Sequence, residues 1–134
     1  MDGNGTGVFT TNGGGNTFIG QPVQAVAIGT DNSVRGSNSL CVGLHNQCVG
    51  AYIAAGYGLT ASSDSVFGNY NYSGGSHNKL LTVGNGTSDT ARHNAFMVFE
   101  DGKIVVPSST AGSTKYFAIT VDDAGTITAT ETSL

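Results

Sequence analysis

Cys41, His45 and Cys48 stand in a C-x3-H-x2-C spacing. Two thiolates and an imidazole are ligands that zinc accepts. The surrounding residues favour another role. Both cysteines fill small apolar slots of a repeat where other copies carry Ala or Val, and His45 falls in the turn between them. The expected role of the thiols is packing, with no metal and no cofactor. A three-fold axis could also gather three copies of His45, His77 or His93 around an ion, but nothing in the spacing selects one of them. The glycine-rich starts, Gly3-Asn4-Gly5-Thr6-Gly7 and Gly13-Gly14-Gly15, are followed by neither a Lys-Ser/Thr pair nor a helix start, both of which phosphate cradling needs. Glu100 and Asp101, like Asp122 and Asp123, are adjacent in sequence. Neighbouring strand residues point to opposite faces, so these pairs form turns rather than acid/base couples. No Ser-His-Asp set can be placed, and no enzyme is expected. Tyr57, Tyr70 and Tyr72 lie in or near the repeat turns. They are candidates for surface recognition, because rings at loop tips stack on sugars or anchor interfaces. Stacking on one another between coils is the alternative.

The background that must position these residues is unusual. The chain has 134 residues, 21 of them Gly, with 10% charged residues and a net charge of −4. Disorder normally combines low hydrophobicity with high net charge. Here 38% of residues are hydrophobic, in short β-type runs. Arg35, Lys79, Arg92, Lys103 and Lys115 are scattered, which argues against a nucleic-acid groove. No apolar run approaches the ~20 residues of a membrane-spanning helix.

Internal repetition decides the fold class. Ala25-Val26-Ala27-Ile28-Gly29, Ser39-Leu40-Cys41-Val42-Gly43, Tyr52-Ile53-Ala54-Ala55-Gly56 and Asp64-Ser65-Val66-Phe67-Gly68 superpose, with closing glycines 14, 13 and 12 residues apart. Asn32, Asn46 and Asn71 fall three residues after the Gly, and Leu59 takes that place in the third copy. Val34, Cys48, Ala61 and Ser73 fall five after. Thr17-Phe18-Ile19-Gly20 reads as a degenerate earlier copy. Each unit is a strand, a Gly turn, a short strand and a turn, so the expected architecture is all-β, a parallel β-roll or β-solenoid. Period 2 puts Val26, Ile28, Leu40 and Val42 on one face and Ala27, Cys41, Ala54 and Val66 on the other. Both faces are apolar, so both must be covered. A coil this short encloses little volume, and the Ala27, Cys41, Ala54 and Val66 face is expected to pack against another chain.

Beyond residue 79 the pattern changes. Val83-Gly84-Asn85-Gly86-Thr87 reads as a turn and Ala95-Phe96-Met97-Val98-Phe99 as a strand. Asp101-Gly102 reads as a two-residue hairpin, with a second hairpin at Asp123-Ala124-Gly125. The expected organisation is an attachment arm over 1–16, β-roll repeats over 17–79 and a separate β-hairpin module over 80–134.

The Ala-Val-Ala-Ile-Gly unit resembles the head repeats of trimeric autotransporter adhesins, a type of repeat that also occurs in phage tail and other virion fibres. Thr82-Val83-Gly84-Asn85-Gly86-Thr87, then Arg92-His93-Asn94-Ala95-Phe96-Met97-Val98, then Asp101-Gly102-Lys103-Ile104, is similar to a segment of phage fibre and tail-spike proteins. The run from Lys115-Tyr116-Phe117 to Thr126-Ile127 is similar to a closing segment common in phages of gut bacteria. The resemblance implies a left-handed parallel β-roll and an intertwined homotrimer. It implies a structural role in a virion, with capsid or tail proteins as partners and contact with a host-surface glycan. The alternatives are the head of a bacterial surface adhesin and, at greater distance, a glycan-degrading tail-spike enzyme. Neither the coiled-coil stalk and membrane anchor of an adhesin nor the helical chaperone of many tail fibres occurs in these residues. The expectation is therefore a short appendage, a head fibre or a tail-tip spike.

Overall fold

The computed structural model describes residues 9–11, 15–20, 24–35, 38–49, 53–62, 64–74 and 79–134. Among them every regular element is a strand: β1 (Phe9–Thr11), β2 (Thr17–Phe18), β3 (Val26–Thr30), β4 (Ser33–Val34), β5 (Leu40–Leu44), β6 (Gln47–Cys48), β7 (Ile53–Tyr57), β8 (Thr60–Ala61), β9 (Ser65–Asn69), β10 (Lys79–Asn85), β11 (Asn94–Phe99), β12 (Ile104–Pro107), β13 (Tyr116–Val121) and β14 (Ile127–Thr132). The first half is a β-solenoid. Each turn gives a longer strand to one parallel sheet and a two-residue strand to a second, whose order β2-β4-β6-β8 counts four turns.

The closing glycines of the repeats lie in register, Gly29 beside Gly43, Gly43 beside Gly56, and Gly56 beside Gly68. Gly84 of β10 continues the row. From Gly29 to Gly68 their φ angles are positive, between 96° and 152°. A Cβ on any of these four would collide with the carbonyl of the next glycine in the row. Successive coils approach so closely at this corner that no side chain fits. The chain then turns through a second left-handed residue, at Asp31, His45, Gly58 or Tyr70, and after the first three of these it enters a short strand.

A coil closed this tightly has a thin interior, filled by two columns of small side chains. Ala27, Cys41, Ala54 and Val66 come from the long strands, and Val34, Cys48 and Ala61 from the short ones; all are at most 1% exposed. The sequence-based assignment of Ala27, Cys41, Ala54 and Val66 to an inter-chain contact is therefore corrected. Their own coil covers them completely, and the face left to solvent is the opposite one.

The corner is closed by a ladder of buried asparagines. Asn32 Nδ2 donates to Ile28 O and Gly43 O (3.2 and 2.9 Å), and Asn32 Oδ1 accepts from Asn46 N at 3.2 Å. Asn46 repeats the pattern to Val42 O and Gly56 O (2.8 and 2.9 Å), and its Oδ1 accepts from Leu59 N at 2.9 Å. Leu59, which lacks an amide, interrupts the ladder. Asn71 resumes it with a reciprocal pair to the Thr60 backbone at 2.8 and 3.0 Å. Each Asn satisfies backbone groups that the turn leaves unpaired, and orphaned buried polar groups cost about 1–3 kcal/mol each.

Three local expectations are revised. The earliest coil puts β1 beside β3, Phe9 opposite Val26, and β2 beside β4. Thr17 and Phe18 thus belong to the short-strand row, and part of the expected 1–16 arm is sheet; its residues 1–8 and 12–14 lie outside the described residues. The 80–134 module is not separate. β10 pairs in parallel with β9 over Leu81–Asn85, so Val83, Gly84 and Asn85 are strand, not turn, and β11 to β14 extend the same ten-stranded sheet as an antiparallel meander. The hairpin at Asp101-Gly102 is not a two-residue turn but takes the same three-residue form as the one at Asp123-Ala124-Gly125. Gly102 N donates to Phe99 O while Phe99 N donates to Lys103 O, and Gly125, Asp122 and Thr126 repeat this arrangement. Each is a turn followed by a left-handed glycine, Gly102 at φ 82° and Gly125 at 81°.

At the junction, Thr82 extends the Ala27–Val66 column and its Oγ1 donates to the buried Asp64 Oδ2 at 2.7 Å. Lys79 is 6% exposed, its Nζ donating to Gly74 O at 3.1 Å, and burial pushes its ammonium below the usual lysine range despite the Asp64 charge.

The glycine row predicts a contrast. Gly43→Ala meets both a positive φ and the Gly56 carbonyl and should cost roughly 3 kcal/mol or more. Gly112→Ala, at φ 76° in open space, should cost roughly 1 kcal/mol. Thermal unfolding of the two variants checks the order; equal losses would remove the close approach as the source of the effect.

Candidate interaction surfaces

The C-x3-H-x2-C residues are not brought together. Cys41 and Cys48 face the coil interior at 0% exposure, where the Cys48 thiol lies 3.6 Å from Leu40 O. The neighbouring Cys48 thiol and burial push the Cys41 thiol far up. His45 sits on the corner outside the coil, its side chain 56% exposed and 3.8 Å from Asp31. His93 lies in the loop after β10, 2.6 Å from Asn85 Oδ1; His77 is outside the described residues. Among the described residues no cluster of three or more His, Cys, Asp or Glu side chains is placed to hold a metal ion.

Two surfaces stand out. The first is the outer face of the ten-stranded sheet, opposite the small-residue columns. Its rows follow from the register. Ile28, Val42, Ala55, Phe67, Val83 and Phe96 form one. Leu81, Val98, Ile104 and Ile119 belong to the other, with Val26, Leu40 and Ile53 at its roll end. Nearly every residue is apolar and every one is half-buried or exposed, Phe67 at 39% and Ile104 at 38%. The face crosses from roll to meander without interruption, because β10 pairs with β9 on one side and β11 on the other.

The second surface is the left-handed corner. Tyr57 ends β7, and Tyr70 turns the next corner at φ 38°. Their rings meet edge to face at 4.9 Å, and His45 lies 6.0 Å from Tyr57. The Tyr57 phenol beside it and desolvation push the Tyr70 hydroxyl up to about 12. The loop between β10 and β11 folds over this row: Gly86 N donates to Asn69 O and His93 N to Tyr70 O, both at 3.0 Å. That delivers Arg92, whose Nη1 donates to Gly58 O at 2.8 Å and Asn71 O at 3.2 Å. Its guanidinium lies 5.8 Å from the Tyr70 ring and pairs with Asp89. These groups, with Asp31, Ser33, Gln47 and Thr60, line a groove of about 320 Å³. Tyr57 and Tyr70 thus do meet between coils, though edge to face and not as stacked rings. Tyr72 stands apart, lining a neighbouring depression with Tyr116 and His93, whose rings stack at 5.9 Å. Arg92 was not singled out by its sequence context; only the return of the loop onto the corner brings it there.

No protein-family model, curated protein or solved structure matches the chain significantly.

The buried thiols carry a prediction. In the folded protein at pH 8, Cys41 and Cys48 should resist a thiol reagent such as dithiobis-nitrobenzoate, and both should react after denaturation. Rapid native labelling would mean that the solenoid interior opens.

Proposed function

We propose that the chain is a structural fibre subunit that works as a homotrimer, with the outer faces of three ten-stranded sheets packed around a common axis. The observation that carries this is the continuous apolar outer face. It runs across the whole sheet with large apolar side chains in contact with water, Phe67 and Ile104 among them, and a contiguous exposed apolar face marks an interaction site. A second copy of the chain fits this face best, because the rows are regular and self-similar and among the described residues carry almost no charge. The choice of three rests on the resemblance of the repeat to those of trimeric adhesins and virion fibres.

The same resemblance supports a virion setting, a phage head fibre or short tail appendage that touches the host surface. Its partners would be itself and capsid or tail proteins. The work is mechanical, the solenoid acting as a rigid spacer and the meander as the module at its other end.

Native mass in dilute solution, with and without SDS at room temperature, tests the assembly. A trimer that persists in SDS is the expected result, and Phe67→Glu, which sets a charge in the middle of the face, should lower the mass. A well-folded monomer would overturn the trimer and the fibre reading together. An antibody against the chain tests the setting: it should label purified phage particles, whereas labelling of a bacterial cell surface would transfer the protein to the adhesins.

A further inference from the structure

The corner of the solenoid is where a short repeat can vary most cheaply. Its second left-handed position suits Gly or Asn, and the third coil does use Gly58. The other coils place Asp31, His45 and Tyr70 there, at φ 54°, 56° and 38°. Positive φ is tolerated by Asp and His but is an outlier for a bulky residue such as Tyr. Residues held in such conformations cluster where side chains serve ligands. Tyr70 is kept there by Gly58, which lies against its ring, and by Arg92 above it. Three chemically active side chains thus project from one corner into one groove.

From this groove we infer a binding site for a neutral saccharide. Its wall offers rings from Tyr57, Tyr70 and His45, and Tyr57 is 38% exposed. A pyranose has apolar C–H faces and a rim of hydroxyls, and amphipathic rings meet both. Around the rings stand Asp31, Asp89, Gln47 and Arg92, acceptors and donors suited to vicinal hydroxyls. Arg92 is already fixed by Gly58 O, Asn71 O and Asp89, so ligand binding need not order it. The charges select against acidic sugars: two carboxylates face one guanidinium, and an anionic sugar would meet net negative charge. The volume lies at the lower end of small-molecule sites, about 300–1,000 Å³, room for about one or two sugar rings.

The inference rests on the surface-contact half of the function proposed above and not on the trimer, since one chain supplies every lining residue. It is tested on the intact protein by saturation-transfer NMR and titration. The probes are oligosaccharides of glucose, galactose and N-acetylglucosamine, and sialylated counterparts. At least one neutral probe should bind, and sialylation should weaken it. Tyr57→Ala should weaken it at least about tenfold, the effect of losing a ring anchor, and Gln47→Ala should weaken it less. Both side chains are exposed on strands, and native mass and melting temperature measured on the same samples separate a failure of assembly from a failure of binding. Absence of binding by every neutral probe, preference for sialylated ones, or undiminished binding by folded Tyr57→Ala would overturn the site.

Discussion

Everything in the first half of this molecule depends on the approach of one glycine to the next at the sheet corner. Because the row from Gly29 to Gly84 leaves no space for a Cβ where its members meet, successive coils can lie in exact register through the corner. The long strands then stack in one parallel sheet and the short ones in another. A larger residue would force the coils apart there and break the pairing on both sides. The close approach also sets the width of the coil, and the width sets what can be inside it.

The interior obeys a rule of size more than of hydrophobicity. Ala, Cys and Val fill its two columns, while the larger Ile28, Leu40, Ile53 and Phe67 stand outside. In an ordinary sandwich the largest apolar residues are innermost, and that habit points to the wrong face here. The sharp corner also strips backbone groups of partners, and the Asn ladder restores them from within. The coil interior is thus an apolar pair of columns bordered by a column of amides, with only Leu59 breaking the amide sequence.

This explains how far the sequence could be read. The period, the Gly and Asn columns and the all-β class were legible because each is a repeated residue type with a local cause. The direction of each strand face was not, because alternation says which residues share a face but not which face is enclosed when both are apolar. The place of Thr17 and Phe18 was missed for a related reason. Phe18-Ile19-Gly20 imitates the end of a long strand, and only the pairing of β1 with β3 fixes the phase. The continuity of roll and meander was hidden in Val83-Gly84-Asn85, a turn-like triplet whose Gly84 takes its place in the glycine row. At the corner, Tyr57 and Tyr70 were visible from their position, but Arg92 arrives from 34 residues beyond Gly58, a contact no local pattern encodes.

The same constraints divide the surface by freedom to vary. Gly and Asn positions are bound by sterics and by buried hydrogen bonds, and the interior columns by width. In the trimer proposed above, the outer face would have to stay apolar as well. What remains is the residue after each corner glycine and the left-handed residue beyond it, whose side chains leave the coil without touching its interior. Leu44 and His45 in one coil, Tyr57 and Gly58 in the next, and Asn69 and Tyr70 after that are the same two positions filled differently. A regular solenoid thereby presents an irregular row of chemistry along one edge. The loop bearing Arg92 closes on that edge at the coil where both tyrosines meet, so groups from separate parts of the chain gather where the repeat is least repetitive.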